Sequence, residues 1–214
     1  MRYITNALTR LVMARLNYWL GVLVDAVLAG GFLVHTMRTM HGSWVTTGVS
    51  LLAGLGLYGL LEYGVHRWGY HDDRSPATPG HRLHHDDPEA LIAVPFFVPA
   101  TGVLVVWGLL QSLLGDEEAS TLIVALVMSF LYYGLLHHGL HHGRLPARYF
   151  RILRGHHRIH HQFPDCNFGV TMTVWDWVFG THYLMVKRRG ERKGTRQLAE
   201  RGPFPGPHPD LPHP

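Results

Sequence analysis

The sequence predicts an all-α fold: a polytopic membrane protein with about four transmembrane helices and a cytoplasmic, histidine-rich helical cap. Three observations predict it. Apolar residues make up 47% of the chain and are gathered into long blocks, while Asp, Glu, Lys and Arg together supply only 16%. The mean hydropathy of +0.04 is high for a water-soluble chain of 214 residues. The 18 histidines all fall outside those blocks.

The first block, 18–34, reads "YWLGVLVDAVLAGGFLV", with Asp25 its only charge. The second, 44–65, is glycine-rich and carries Glu62 near its end. The third, 91–114, has Pro95 and Pro99 near its start, and the fourth spans 119–136. Each is close to the ~20 residues that a membrane-crossing helix needs. Their glycines suit close helix packing in lipid. Buried helices of a soluble protein are the other reading, but little amphipathic sequence remains to cover such a core. The first 16 residues are mixed and basic with no cleavage-like end, so the first block is expected to be retained.

The connections set the topology. Segments 35–43 and 115–120 are short turns, and of the 19 Lys and Arg residues only Arg38 lies in them. Cytoplasmic loops carry the excess of Lys and Arg, which places both termini and every His-rich segment in the cytoplasm. Asp116, Glu117 and Glu118 sit in the opposite turn. The formal charge of +4 therefore reads as topology and contact with anionic headgroups. No nucleic-acid recognition motif accompanies it, and no nucleic-acid partner is expected. Residues 1–186 are expected to form one integral-membrane domain. Residues 187–214, basic and then proline-rich, read as a disordered tail. The basic stretch "RLPARYFRILRGHHRIHH" is expected to lie along the membrane surface. Cys166 is the lone cysteine, which excludes an internal disulfide and a zinc ribbon.

Four histidine groups stand out: His66 with His71; His81, His84 and His85; His137 with His141; and His157, His160 and His161. Residues three and four apart share a helix face, so each triplet is expected to aim at one point and His137/His141 to form a pair. His66 and His71, five apart, converge only where the helix ends or distorts, which Gly69 permits. Neutral imidazole is the commonest metal ligand. Ten imidazoles exceed what one ion takes, and two metals with about five ligands each is the natural count. A carboxylate-rich di-iron bundle is disfavoured, because its Glu-x-x-His pairs are absent. His138, His142, His156 and His182 are left open between partners that orient the ligands and surface residues.

The series "HRWGYH", "HRLHH", "HHGLHH", "HHRIHH" resembles that of the fatty acid hydroxylase/sterol desaturase superfamily of membrane histidine-rich di-iron oxygenases. Within it, "EYGVHRWGYH", "HHDDPEALIAVP" and "FGVTMTVWDWVFGTHY" resemble the fatty acid 2-hydroxylase branch over about residues 58 to 183. Two departures bear on the branch. Gly134 stands where that branch usually has Asp, and "HHGLHH" differs in spacing from the otherwise similar carotenoid hydroxylases.

The resemblance implies that His66, His71, His81, His84, His85, His137, His141, His157, His160 and His161 ligate two iron ions, which zinc can replace on purification. It further implies an O2-dependent hydroxylase acting on a fatty acyl chain or acyl lipid at C2. Carotenoid hydroxylation, sterol or lipid desaturation and a non-enzymatic membrane metal-binding protein are the alternatives. Electrons are expected from an external donor, a cytochrome b5-like protein or a ferredoxin with its reductase. Glu62, one turn before His66, is either an orienting acceptor or an interfacial charge. Trp175 and Trp177 are expected to anchor the cap, with Asp176 accepting hydrogen bonds.

Overall fold

The computed structural model describes residues 7–143 and 147–200, and their regular structure is helical throughout. A short α1 (Ala7–Val12) precedes four helices long and apolar enough to cross a membrane. These are α2 (Arg15–Thr39), α3 (Trp44–Gly64, continued by a π-helical turn, Val65–Tyr70), α5 (Phe97–Leu114) and α6 (Asp116–His142). At 1.5 Å per residue the 27 residues of α6 reach about 40 Å, more than a bilayer core. The connection between α3 and α5 carries α4 (Thr78–Asp86), and after α6 come α7 (Arg148–Gln162), α8 (Val174–Val178) and α9 (Tyr183–Glu200). Helix α9 takes in residues 187–200 of the segment expected as a tail; the proline-rich remainder, 201–214, lies outside the described residues, as do the first six.

The central span is α6, which packs against α2, α3 and α5. Its buried face carries Ile123, Val124 and Val127, which meet Ala29 and Phe32 of α2. The crossing with α3 is tight at Gly54: a Cβ there would lie 2.6 Å from the Cβ of Ala125 and 3.0 Å from the Leu122 carbonyl. In lipid, where apolar side chains gain little by leaving their surroundings, such close backbone approach is what holds helices together. The outward faces stay apolar, with Leu52, Leu109 and Leu113 all more than 60% exposed, and α5 buries none of its residues.

The third span is shorter than its apolar block. Residues 91–96 are not helical, and α5 starts at Phe97. Pro95 disfavours helical geometry at Val94, and Asn17 of α2 takes over the polar backbone groups left behind. Its amide nitrogen donates to the carbonyls of Ala93 (3.1 Å) and Val94 (3.2 Å), and its oxygen accepts from the Phe96 N–H (3.0 Å). Asn17 is 2% exposed and was not singled out by the sequence.

The two ends of the bundle differ in chemistry. At one end His35 meets Asp116 at 3.1 Å, and Glu117 accepts the backbone N–H groups of His41 and Gly42. These contacts tie the turn after α2 to the turn before α6. The C-terminal ends of α3 and α6 lie at the other end, beneath the cap. A second apolar cluster of Leu136, Leu140, Leu153 and Val170 joins α6 to α7 and the loop beyond it. Arg154 of α7 donates to the Gly139 carbonyl at 3.1 Å, near the end of α6.

Candidate metal centre

The ten expected histidines form two groups of five. His66, His71, His81, His85 and His160 make the first; His84, His137, His141, His157 and His161 make the second. Within each group the five candidate ligand nitrogens lie within 4.8 Å of one another. His66 and His71 converge because the helix changes winding at Val65. The π-turn bonds residue i to i+5, which returns residues five apart to one face.

Each triplet is divided between the groups, against the expectation that it aims at one point. α4 sends His81 and His85 to the first group and His84 to the second; α7 sends His157 and His161 to the second and His160 to the first. The reason is helical geometry. Residues four apart nearly eclipse, whereas adjacent residues are turned by about 100°. Each helix is thus a two-sided wall between the groups. Stacking of His85 on His161 at 4.4 Å joins the two groups.

The protonation pattern suits cations. Within the first group Nε2 meets Nε2 at 3.2 Å (His66–His81), 2.9 Å (His81–His71) and 3.1 Å (His71–His160). The second shows 3.0 Å (His137–His157) and 2.9 Å (His141–His157). Carbonyl oxygens only accept, so the contacts of His66 Nδ1 with the Phe168 carbonyl (2.5 Å) and His160 Nδ1 with the Cys166 carbonyl (2.8 Å) fix the proton on Nδ1. Both Nε2 atoms then present lone pairs to the group. Lone pairs crowded at about 3 Å repel unless a cation lies between them, and the buried Nε2 of His84 has no hydrogen-bond partner.

Burial, and then the neighbouring imidazoles, hold the cap histidines neutral. His71 is lowered to about 4, His161 to about 3 and His84 to about 2, and His81, His157 and His160 are also held far below the usual imidazole range. Neutral imidazole is the ligand form. The residues present therefore fit two metal ions, one per group.

The first histidine group is backed by a loop. Phe168 packs its ring near His66, His71 and His160, with centroids 5.4–5.9 Å away. The loop is held by two buried carboxylates. Asp176 accepts the N–H groups of Phe168 (2.8 Å) and Gly169 (2.9 Å), together with His156 Nε2 (3.0 Å) and the Thr181 hydroxyl (2.7 Å). Burial alone would raise its pKa, but these hydrogen bonds outweigh that and leave it below the usual carboxylate value. Glu62 accepts the N–H groups of Val170 (2.6 Å) and Thr171 (2.9 Å) and the Thr171 hydroxyl. Glu62 is thus a loop clamp that touches no histidine directly.

Asn167, in the left-handed region at φ 58°, turns the loop and bonds the His156 carbonyl through its side chain. The sequence marked Asp176 as an acceptor but missed the Cys166 and Phe168 carbonyls, Asn167 and the chain of Arg67, Tyr63 and Thr181 that ends on Asp176. No residue type signals a backbone acceptor.

The four ambiguous histidines lie outside both groups. His156 is buried on Asp176, and His138 bonds Tyr18 (3.1 Å) and stacks on His142. His182 stacks on Trp177 at 4.0 Å. A Cβ at Gly134 would meet nothing within 4 Å, so the departure there leaves open space and disturbs no ligand.

A profile of the fatty acid hydroxylase family matches residues 51–181, a stretch holding all ten histidines, Glu62 and Asp176. The chain belongs to the fatty acid hydroxylase family. Among members of that family, a dihydroceramide fatty acyl 2-hydroxylase of Arabidopsis thaliana is 32% identical over 143 residues, covering 63% of this chain and 60% of its own length. A fatty acid 2-hydroxylase of Macaca fascicularis is 30% identical over 147 residues, 61% of this chain and 38% of its own. The chain thus spans less than two thirds of either relative. A solved structure described as full-length scs7p, with only the hydroxylase domain visible, superposes at a TM-score of 0.67 and 26% identity. The match covers 83% of this chain and 70% of that chain.

Proposed function

We propose that the protein is an O2-dependent di-iron lipid hydroxylase that places a hydroxyl on a fatty acyl chain, at the carbon next to its carbonyl. The observation that carries this reading is the pair of five-imidazole groups at one end of a membrane bundle, in a chain of the fatty acid hydroxylase family. One oxygen atom enters a C–H bond and the other leaves as water, which consumes two electrons and two protons. When bound, a pair of iron ions supplies the redox chemistry for that exchange, and neutral nitrogen ligands suit iron as well as zinc.

The residues of the chain have separate tasks. His66, His71, His81, His85 and His160 hold one ion; His84, His137, His141, His157 and His161 hold the other. Phe168 packs against the buried His66 and His160 on the loop side of the first group. Tyr70 stacks on His81 at 5.0 Å and Tyr133 on His137 at 5.6 Å, and neither hydroxyl has a hydrogen-bond partner among the described residues. These two phenols are suited to receive the polar head of an acyl substrate whose tail stays in the bilayer. The excess of Lys and Arg at the histidine end supports a cytoplasmic orientation for that end, where a separate protein such as a cytochrome b5-like carrier or a ferredoxin would deliver the electrons.

The test is lipid analysis of cells expressing the wild type against His84→Ala and His160→Ala. Accumulation of 2-hydroxy acyl lipids with the wild type alone supports the reading. Zeaxanthin from supplied β-carotene, or a new double bond without a hydroxyl, overturns the substrate or the reaction.

A further inference from the structure

The two groups treat their outward-facing nitrogens unequally. In the first, His66 and His160 each donate Nδ1–H to a carbonyl of the 166–168 loop, at 2.5 and 2.8 Å. That loop is itself fixed by five hydrogen bonds to two carboxylates: Phe168 N–H and Gly169 N–H to Asp176, and Val170 N–H, Thr171 N–H and the Thr171 hydroxyl to Glu62. In the second group the Nδ1 atoms of His157 and His161 are buried and have no hydrogen-bond partner among the described residues.

The difference has a direct consequence for metal affinity. An imidazole whose outer N–H rests on an acceptor has its tautomer and ring plane set in advance, and its inner nitrogen is more basic. Loss of such an acceptor typically weakens metal binding about 10–100-fold. An imidazole with a buried, unpaired outer nitrogen has neither advantage, and its ring is held by packing alone.

We propose that the two metal sites are unequal: the His66 group is the tight site, the His84 group releases its ion first, and Glu62 and Asp176 are positioning residues for the tight site alone. The proposal rests on the reading that the ten histidines hold two ions. Glu62 lies on α3, in a membrane span, and Asp176 on α8 in the cap, so the tight site is braced from both sides of the loop that serves it. His156 completes the brace by pairing with Asp176 at 3.0 Å.

Zinc release tests this on the purified full chain, loaded with Zn2+ and mixed with excess chelator while a zinc-sensitive dye reads the ion set free. The wild type is expected to release two ions in two phases at least ~10-fold apart in rate. His161→Ala should load one ion and release it in the slow phase. Asp176→Asn and Thr171→Val should hasten the slow phase, by about 10-fold or more for Asp176→Asn, and leave the fast phase unchanged. Thr171→Val deletes a single hydroxyl contact to Glu62, so it reports on the brace even where Asp176→Asn fails to fold. Two ions released at one common rate, or brace variants that hasten the fast phase, overturn the inequality while leaving the two-metal reading intact. A wild type that binds less than one zinc per chain overturns both.

Discussion

His85 of the first group stacks on His161 of the second, with ring centroids 4.4 Å apart and 30° between their planes. The two groups therefore share a wall, to which each contributes one imidazole. His85→Ala is expected to reduce hydroxylated lipid to background and to lower retained metal in the first group, to which His85 belongs. His182→Ala, whose ring stacks on Trp177 outside the groups, should keep activity within about two-fold. Product analysis by mass spectrometry, alongside metal content, separates the two outcomes.

Acid should weaken the cap. Histidines of the unfolded chain take up protons near pH 6.5, whereas in the fold His71 is lowered to about 4 and His161 to about 3 by burial and by neighbouring imidazoles. The unfolded state then binds more protons than the native state between those values. Stability is fully present above about pH 6.5 and is lost as the pH falls towards 4. Asp176, whose pKa is also lowered, contributes in the same direction at still lower pH. Thermal melts between pH 8 and pH 4 should show Tm falling most steeply below pH 6.5; a flat profile would refute this.

Asn17→Ala removes the partner of three backbone groups at the kinked entry to α5. Stranding buried backbone groups costs about 1–3 kcal/mol, which for a chain of this size corresponds to a Tm lowered by roughly 2–12 °C. The histidine groups lie elsewhere, so metal content at low temperature should stay close to that of the wild type.

Gly54→Val drives a side chain into Ala125 and the Leu122 carbonyl, which would be 2.6 and 3.0 Å from its Cβ. Overpacking of this kind costs about 1–3 kcal/mol and should separate α3 from α6. The same helix offers a control in Gly56, where a Cβ meets nothing within 4 Å and Gly56→Ala should be neutral or slightly stabilising. Melting curves of the two variants in detergent decide it.

Much of this was readable in the sequence because it rests on local periodicity. Long apolar blocks announced the spans, and histidines three and four apart announced their helices. What the sequence left out depends on contacts between distant segments. Asn17 reads as an ordinary polar residue near a helix start until Pro95 strips Val94 of helical geometry 77 residues later. The division of each triplet follows from rotation about α4 and α7, but which side faces which group is set by where α3 and α6 deliver His66 and His137. The carbonyls of Cys166 and Phe168 carry no side-chain signature at all. Glu62 was visible one turn from His66, yet its partners, Val170 and Thr171, lie more than 100 residues away.

The span of those contacts bears on how the protein is made. His71 and His160 are 89 residues apart and Glu62 and Thr171 are 109, with the last two membrane helices synthesised in between. Neither histidine group is complete until α7 has emerged, after all four spans have been made. Insertion into the bilayer therefore comes before completion of either histidine group. A ribosome stalled after α6 would leave a threaded but incomplete protein, with four imidazoles of the first group and three of the second waiting for partners still to be translated.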